Sequence, residues 1–196
     1  MKTRTKASTE TLVFTALLTA IVVVLHLIST FVPPIGPLQL QLNLVLIPVV
    51  IGAAMCGPWV ATWLGLVSAI AILATPSTAL FYGWNVLGTI VTVILKGALC
   101  GLAAGYVYKL LSRFNRYVAV IVAALVCPVV NTGIFVLGCL IFFWEHISAL
   151  AGETDAIYFL FFSFIGVNFF VELGSNIILS PAVTTLVDLG TKRFKK

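Results

Sequence analysis

Long uncharged apolar stretches fill most of this sequence, and they strongly restrict the folds open to it. One of them, from Leu42 to Ala74, contains no aspartate, glutamate, lysine or arginine. Only 9% of the 196 residues are charged, whereas a soluble domain carries roughly 25% charged residues. Because a helix that crosses a bilayer needs about 20 apolar residues, we exclude a soluble fold. We expect one integral membrane domain over residues 1–196, with multiple passes through the cell membrane.

The formal net charge of +5 does not by itself indicate a nucleic acid partner. The basic residues stand in short clusters between apolar runs, a distribution typical of signals that orient membrane proteins. We therefore expect this chain to contact the lipid bilayer and no nucleic acid. The first apolar run, from Thr11 to Val32, is longer than the apolar core of a signal peptide, roughly 7–15 residues, so we expect no cleaved signal peptide.

The sequence carries no common motif for catalysis, nucleotide binding or metal binding. It has no GxxxxGK[ST] segment, so we expect that the chain does not bind and hydrolyse ATP itself. It has no HExxH or GxSxG segment, which leaves an intramembrane enzyme unsupported. The 4 cysteines lie in or at the ends of apolar runs without CxxC spacing, which argues against disulfides and a zinc site. We expect neither a cofactor nor a bound metal.

Hydropathy and turn residues predict an all-α membrane protein with six transmembrane helices. The run from Leu42 to Ala74 could form one long helix or two short ones, and Gly57 and Pro58 lie near its centre. Proline interrupts the hydrogen-bond ladder of a helix, so a break there would divide the run in two. The predicted helices cover about residues 10–32, 42–56, 59–74, 85–108, 118–143 and 158–190.

The distribution of positive charge supports six spans over five. With six spans, the two termini and the loop at residues 109–117 share one side of the membrane. That side then holds Lys2, Arg4, Lys6, Lys109, Arg113, Arg116, Lys192, Arg193, Lys195 and Lys196. Because cytoplasmic loops carry an excess of lysine and arginine, we expect both termini in the cytoplasm. The second and third helices, at roughly 22–24 Å, are too short for simple straight spans of a core about 30 Å thick.

Two uncharged loops on the opposite, outer side are candidates for covering a binding pocket. The first loop contains three prolines and ends in Gln41 and Asn43. The second loop ends in Tyr82, Trp84 and Asn85. Such loops can fold over the mouth of a pocket, and they can equally be turns whose aromatic residues anchor at the membrane interface. The sequence leaves both interpretations open.

Two ionisable residues lie deep within the predicted helices. Lys96 is eleven residues into the fourth helix, about 16 Å from its outer end. Glu172 is fourteen residues into the sixth helix, about 21 Å deep. Burying such a group costs free energy, and an intramembrane ionisable residue indicates a functional site by default. Two structural alternatives remain: Lys96 and Glu172 simply pair, or Lys96 extends its side chain to the inner face.

Three asparagines lie at similar depth. Asn131 is on the fifth helix, while Asn168 and Asn176 stand four residues before and four after Glu172 on the sixth. Residues four apart share one helical face, so the sixth helix carries a polar stripe that should face protein or a cavity. Buried amides need partners, which a ligand with hydroxyl, amide or carboxylate groups would supply. Hydrogen bonding between helices is the structural alternative.

Small residues recur every four positions on two of the helices. They are Gly97, Gly101 and Gly105 on the fourth helix, and Ala61, Gly65 and Ala69 on the third. This spacing lets helix backbones approach closely. It predicts tight packing and carries little information about function.

In these features the sequence resembles the substrate-binding S-components of energy-coupling factor (ECF) vitamin transporters. The resemblance covers nearly the whole chain and rests on its length, its six predicted helices with both ends inside, and the pair Ala16 and Ala20 on the first helix. The segment IPVVIGAAMCGP is similar to the junction of the second and third helices in that family. The segments TVILKGALCGLAAGYVY, NTGIFVLGCLIFF and VNFFVELGSNIILSPAV most resemble pantothenate-type members, which usually have arginine where this chain has Lys96.

The resemblance implies a protein that captures a vitamin from outside, most closely pantothenate, with its outer loops and its fourth to sixth helices. Lys96 would then be the counter-ion of the pantothenate carboxylate. The implied substrate-binding residues are Lys96, Asn131, Asn168, Glu172, Trp84, Asn85, Tyr82, Gln41 and Asn43. The implied partners are an ECF transmembrane coupling subunit, docked on the first helix at Ala16 and Ala20, and two cytoplasmic ATPase subunits. The ATPases would drive the protein to topple in the membrane and release the vitamin inside.

Two other functions remain open at the level of sequence. An S-component for another vitamin, such as folate, riboflavin or a queuosine-type compound, would have the same topology. A standalone facilitator for a small molecule would need a continuous polar path, and the first three helices offer few polar positions.

Overall fold

The computed structural model describes residues 9–31 and 46–194 of the chain. Within these ranges the chain is all-helical and contains no strand. The α-helices are Thr9–Phe31 (α1), Leu46–Cys56 (α2), Pro58–Leu73 (α3), Ala79–Trp84 (α4), Val86–Leu111 (α5), Arg116–Phe142 (α6), Trp144–Ala151 (α7), Ala156–Tyr158 (α8) and Val167–Phe194 (α9). A 3-10 turn at Pro76–Thr78 precedes α4, and a π-helical segment at Phe159–Gly166 joins α8 to α9.

The run that could form one helix or two is divided at the predicted position. α2 ends at Cys56 and α3 begins at Pro58. Gly57 between them has a φ of 92°, a left-handed conformation that glycine adopts without a steric penalty. Pro58 occupies the first turn of α3, where its missing N–H costs no helical hydrogen bond.

Two polar contacts show that α1 and α3 run in the same direction. The indole nitrogen of Trp63 donates to the hydroxyl of Thr19 at 3.3 Å. Further along both helices, Nε2 of His26 lies 3.0 Å from Oγ of Ser68. Because both residue numbers increase together, α1 lies parallel to α3, and α2 connects them in the opposite direction.

Glycines bring α3 and α5 together at backbone distance. A Cβ built on Gly65 would overlap the carbonyl oxygen of Gly97, and one on Gly101 would overlap that of Ala61. The two helices are therefore antiparallel, and the tight packing predicted from the small-residue spacing is confirmed. Contacts of this kind leave no room for even one methyl group between the helices.

α6 runs antiparallel to both α5 and α9. Facing α5, a Cβ on Gly138 would meet the side chain of Thr92. Facing α9, the backbone oxygen of Ala124 accepts a hydrogen bond from Nδ2 of Asn176 at 3.2 Å, and nearer the start of α6 the hydroxyl of Tyr117 donates to Asp188 at 2.9 Å. The long helices thus alternate in direction. The start of α1, the α2–α3 turn, the α5–α6 loop and the end of α9 lie at one end of the bundle, together with Lys109, Arg113 and Arg116.

Local chemistry sets two helix boundaries that differ from the predicted ones. α6 begins at Arg116, earlier than the predicted 118–143, because Oδ1 of Asn115 accepts from the backbone N–H groups of Tyr117 and Val118. The predicted helix 158–190 is interrupted by the π-helical segment before α9. A Cβ on Gly166 would lie 2.8 Å from the carbonyl oxygen of Phe161, so glycine permits the wider winding there.

The outward surface of the bundle is apolar, as a bilayer requires. Large hydrophobic side chains such as Leu17, Ile70 and Leu137 are more than half exposed, whereas a soluble monomer rarely exposes large contiguous apolar patches. Three described helices are long and apolar enough to cross a membrane, namely α1 over Thr9–Ser29, α5 and α6. α2 and α3 are shorter apolar helices.

Candidate functional site

The candidate site is centred on Lys96, which lies near the middle of α5. It lies ten residues after Val86, where α5 begins, which is about 15 Å along the helix. Its Nζ stands 5.1 Å from the ring centre of Phe135 on α6, within the range of a cation–π attraction. Glu172 on α9 and His26 on α1 are close enough to interact with Lys96 electrostatically. The ring of Phe135 therefore contacts the ammonium group, and ionisable side chains of α9 and α1 lie in its neighbourhood.

The contacts between α5 and α6 fix the depth at which the ammonium group lies. Gly88 faces Phe142 and Thr92 faces Gly138 across the antiparallel pair. By this register, the level of Lys96 on α6 is close to Phe135, the ring that its Nζ contacts. The side chain therefore stays at its own depth in the bundle. The alternative in which it extends toward the end of α5 is wrong.

Glu172 supplies the negative charge nearest to this position in the described part of the chain. Only 3% of its surface is exposed, and its carboxylate attracts Lys96. The charge of Glu172 therefore helps to offset the cost of burying Lys96, and whether the two side chains pair directly stays a prediction.

His26 and Ser68 form a buried polar contact beside the lysine. Both are about 95% buried, and Nε2 of His26 lies 3.0 Å from Oγ of Ser68. The contact joins α1 to α3 and carries a titratable ring to the vicinity of Lys96. From the sequence alone His26 is not a candidate for the site, because a lone histidine in an apolar helix is more often a hydrogen-bonded packing residue, and its contact with Ser68 agrees with that interpretation.

The three asparagines have different surroundings. Asn131 is buried on α6, one helical turn before Phe135. Asn176 is buried and donates to the backbone oxygen of Ala124, so it serves the packing of α9 on α6. The backbone of Asn168 lies in α9 one turn before Glu172, and its side chain is outside the described part of the structure.

Of the predicted loop residues, Tyr82 and Asn85 stabilise local structure, and Trp84 belongs to an aromatic cluster. The hydroxyl of Tyr82 donates to the backbone oxygen of Leu73 at 2.9 Å, and Oδ1 of Asn85 caps α5 by accepting from the N–H of Gly88. Trp84 stacks on the exposed ring of His146 with ring centres 5.2 Å apart. These contacts support the view of Tyr82 and Asn85 as turn and cap residues. Gln41 and Asn43 lie outside the described residues.

A series of contacting aromatic side chains connects the surface of the bundle to Lys96. Phe81 lies edge-on to Trp84 at 5.3 Å, to Phe143 at 5.3 Å and to Phe135 at 5.6 Å. Because Phe135 also contacts Lys96, a continuous aromatic cluster runs from His146 at the surface to the ammonium group. Sequence reasoning did not select Phe135, since one phenylalanine among 14 carries no signal of its own.

Ala16 and Ala20 lie on the outer face of α1. Both are exposed, while Leu18 and Val22 of the same helix are buried against the bundle. α1 therefore presents a flat strip of small residues away from the protein core. Such a strip lets another helix approach closely.

The comparisons with known proteins agree with this architecture. A family model described as "ECF transporter, substrate-specific component" matches residues 10–184. No curated protein and no solved structure shows a significant match to the chain.

Proposed function

Because the chain belongs to the family of substrate-specific components of ECF transporters, we propose that it captures a carboxylate-bearing vitamin, most closely pantothenate, at Lys96. Members of this family are membrane proteins that bind a substrate for an ECF importer, which is not a class of enzyme. The observation that carries the proposal is the ammonium group of Lys96, held at mid-depth against Phe135.

The chemistry at Lys96 favours an anionic ligand. Keeping a lysine at this depth costs free energy, and the aromatic face and Glu172 offset that cost only in part. A ligand carboxylate would add a charge-assisted hydrogen bond, which is roughly twice as strong as a neutral one. Asn131, Glu172 and Asn168 are proposed to contact the hydroxyl and amide groups of the ligand. Trp84, with Gln41 and Asn43, is proposed to cover it.

The direction of binding follows from the distribution of charge. Lys109, Arg113 and Arg116 lie at one end of the bundle, and positive residues mark cytoplasmic loops. We propose six spans with this end and both termini in the cytoplasm. The aromatic cluster around Phe81 then faces the outside, where the vitamin arrives.

Coupling to energy is proposed to occur through α1. Its exposed Ala16 and Ala20 would pack against the transmembrane coupling subunit, which also binds two cytoplasmic ATPase subunits. This arrangement agrees with the absence of a P-loop motif from the sequence.

The proposal is tested by binding measurements on the purified protein in detergent. Calorimetric titration with pantothenate, folate and riboflavin should give saturable binding of pantothenate and none of riboflavin, which lacks a carboxylate. Purification from native membranes should also recover the coupling subunit and the ATPases. Binding of riboflavin in preference to both carboxylates would contradict the role of Lys96.

A further inference from the structure

Thr92 is a buried polar residue that the site described so far does not use. It lies on α5 one helical turn before Lys96, and only 3% of its surface is exposed. Its hydroxyl oxygen is fully buried and has no hydrogen-bond partner in the described part of the chain. Burying a hydroxyl without a partner costs about 1–3 kcal/mol, so this group calls for an explanation.

Threonines elsewhere in the bundle satisfy their hydroxyls within their own helix. In a helix, a threonine hydroxyl can donate to the carbonyl group four residues earlier. The residues that do so are Thr15, Thr19, Thr62, Thr89, Thr184 and Thr185. Thr89 stands less than one turn before Thr92 on the same helix, so the local backbone permits this bond. The hydroxyl of Thr92 is turned elsewhere.

The neighbouring helix shows where the side chain of Thr92 lies. A Cβ built on Gly138 of α6 would collide with both the hydroxyl and the methyl group of Thr92. The side chain therefore lies in the seam between α5 and α6, one turn from the contact between Lys96 and Phe135. Glycine at position 138 makes this placement possible, since any other residue would fill the space.

From these observations we infer that Thr92 is a further ligand-binding residue, whose hydroxyl donates a hydrogen bond to the carboxylate that Lys96 attracts. The inference rests on the proposed function. A lysine and a threonine hydroxyl one turn apart present two donors to one anionic group. The unsatisfied hydroxyl of the ligand-free protein is thereby explained as a group kept for the substrate.

The test compares three variants of the full-length protein in detergent. Thr92→Val removes the hydroxyl and keeps the shape, Thr92→Ser keeps the hydroxyl, and Thr89→Val is the matched control on the same helix. The ligands are pantothenate and panthenol, the analogue in which an alcohol replaces the carboxylate. Calorimetry gives the affinity, and thermal unfolding of the ligand-free protein gives the stability.

Loss of a hydrogen bond to a charged group should weaken pantothenate binding by Thr92→Val about 10-fold to 100-fold. Thr92→Ser and Thr89→Val should bind within about 2-fold of wild type, and Thr92→Val should change panthenol binding much less. The melting temperature of Thr92→Val should not fall, because the variant loses only an unsatisfied group. Equal pantothenate binding by Thr92→Val and wild type would overturn the role of Thr92 alone. Failure of the wild-type protein to bind any carboxylate vitamin would overturn the proposed function, and the role of Thr92 with it.

Discussion

Removing the charge of Lys96 should abolish recognition of the ligand carboxylate without unfolding the protein, provided that Glu172 is neutralised at the same time. A single Lys96→Gln change would remove a positive charge that acts on the buried carboxylate of Glu172, and a buried charge left uncompensated typically costs about 3–5 kcal/mol. That loss could unfold a protein of ordinary stability. The informative variant is therefore Lys96→Gln combined with Glu172→Gln, which keeps the volume of both side chains and removes both charges.

The expected loss of affinity follows from the contact that the ammonium group would make. A hydrogen bond to a charged group contributes about 1.5–3 kcal/mol. At 1.4 kcal/mol for each factor of ten, the double variant should bind pantothenate about 10-fold to 150-fold more weakly. Panthenol carries no charge for Lys96 to attract, so its affinity should fall less than that of pantothenate, and only by the contribution of Glu172 to the hydroxyl and amide groups that both ligands share.

Lys96→Arg is a second variant for the same experiment, and it should add a hydrogen bond to the ligand carboxylate. Arginine keeps the positive charge and adds a planar fork that can hold a carboxylate through two hydrogen bonds. It should retain pantothenate binding and preserve the attraction to Glu172. Titration calorimetry and thermal unfolding on all variants separate affinity from stability. If the double variant keeps its melting temperature and still binds pantothenate like wild type, the ammonium group has only a packing role and our reasoning about the site is wrong.

Three further predictions follow from the fold. Gly101→Ala should destabilise the bundle by about 1–3 kcal/mol, because the added methyl group would overlap the backbone of α3. Gly133→Ala is the control, since a Cβ at that position has no atom within 4 Å. Thermal unfolding compares the two variants, and equal melting temperatures would refute the close contact. Ala20→Leu should reduce copurification of the coupling subunit and leave pantothenate affinity unchanged, with Gly133→Leu as the control on another exposed helix face, and a fully retained complex would exclude this docking face. Glu153 lies between α7 and α8, at the end of the bundle opposite Arg113. A membrane-impermeant maleimide should label Glu153→Cys in intact cells and Arg113→Cys only after permeabilisation, and the reverse pattern would contradict the proposed orientation.

The sequence predicted well those features that depend on local patterns. The break at Gly57 and Pro58 follows from backbone chemistry at two adjacent residues, and the structure has it there. The spacing of small residues along single helices predicted tight packing, and the contact between Gly101 and Ala61 is one instance of it. The membrane character and the family followed from composition and from segments that cover most of the chain.

The sequence could not predict contacts that depend on how the helices are arranged around one another. The pairing of His26 with Ser68 requires that α1 and α3 run parallel and adjacent, which no periodicity encodes. The same holds for Thr92, whose unsatisfied hydroxyl arises from its position against Gly138 on another helix. Asn85 has a local role as well, since its side chain caps α5, and its predicted role in the site stays a prediction.

The glycine seam between α3 and α5 limits how the protein can move during transport. Where one backbone touches another, sliding by a fraction of a residue meets steric resistance along the whole length of the contact. α3 and α5 therefore have to move together as one rigid unit, which includes Lys96. Release of the bound substrate must then come from displacement of α1, α6 or α9 relative to this rigid unit, or from tilting of the entire bundle as a single body.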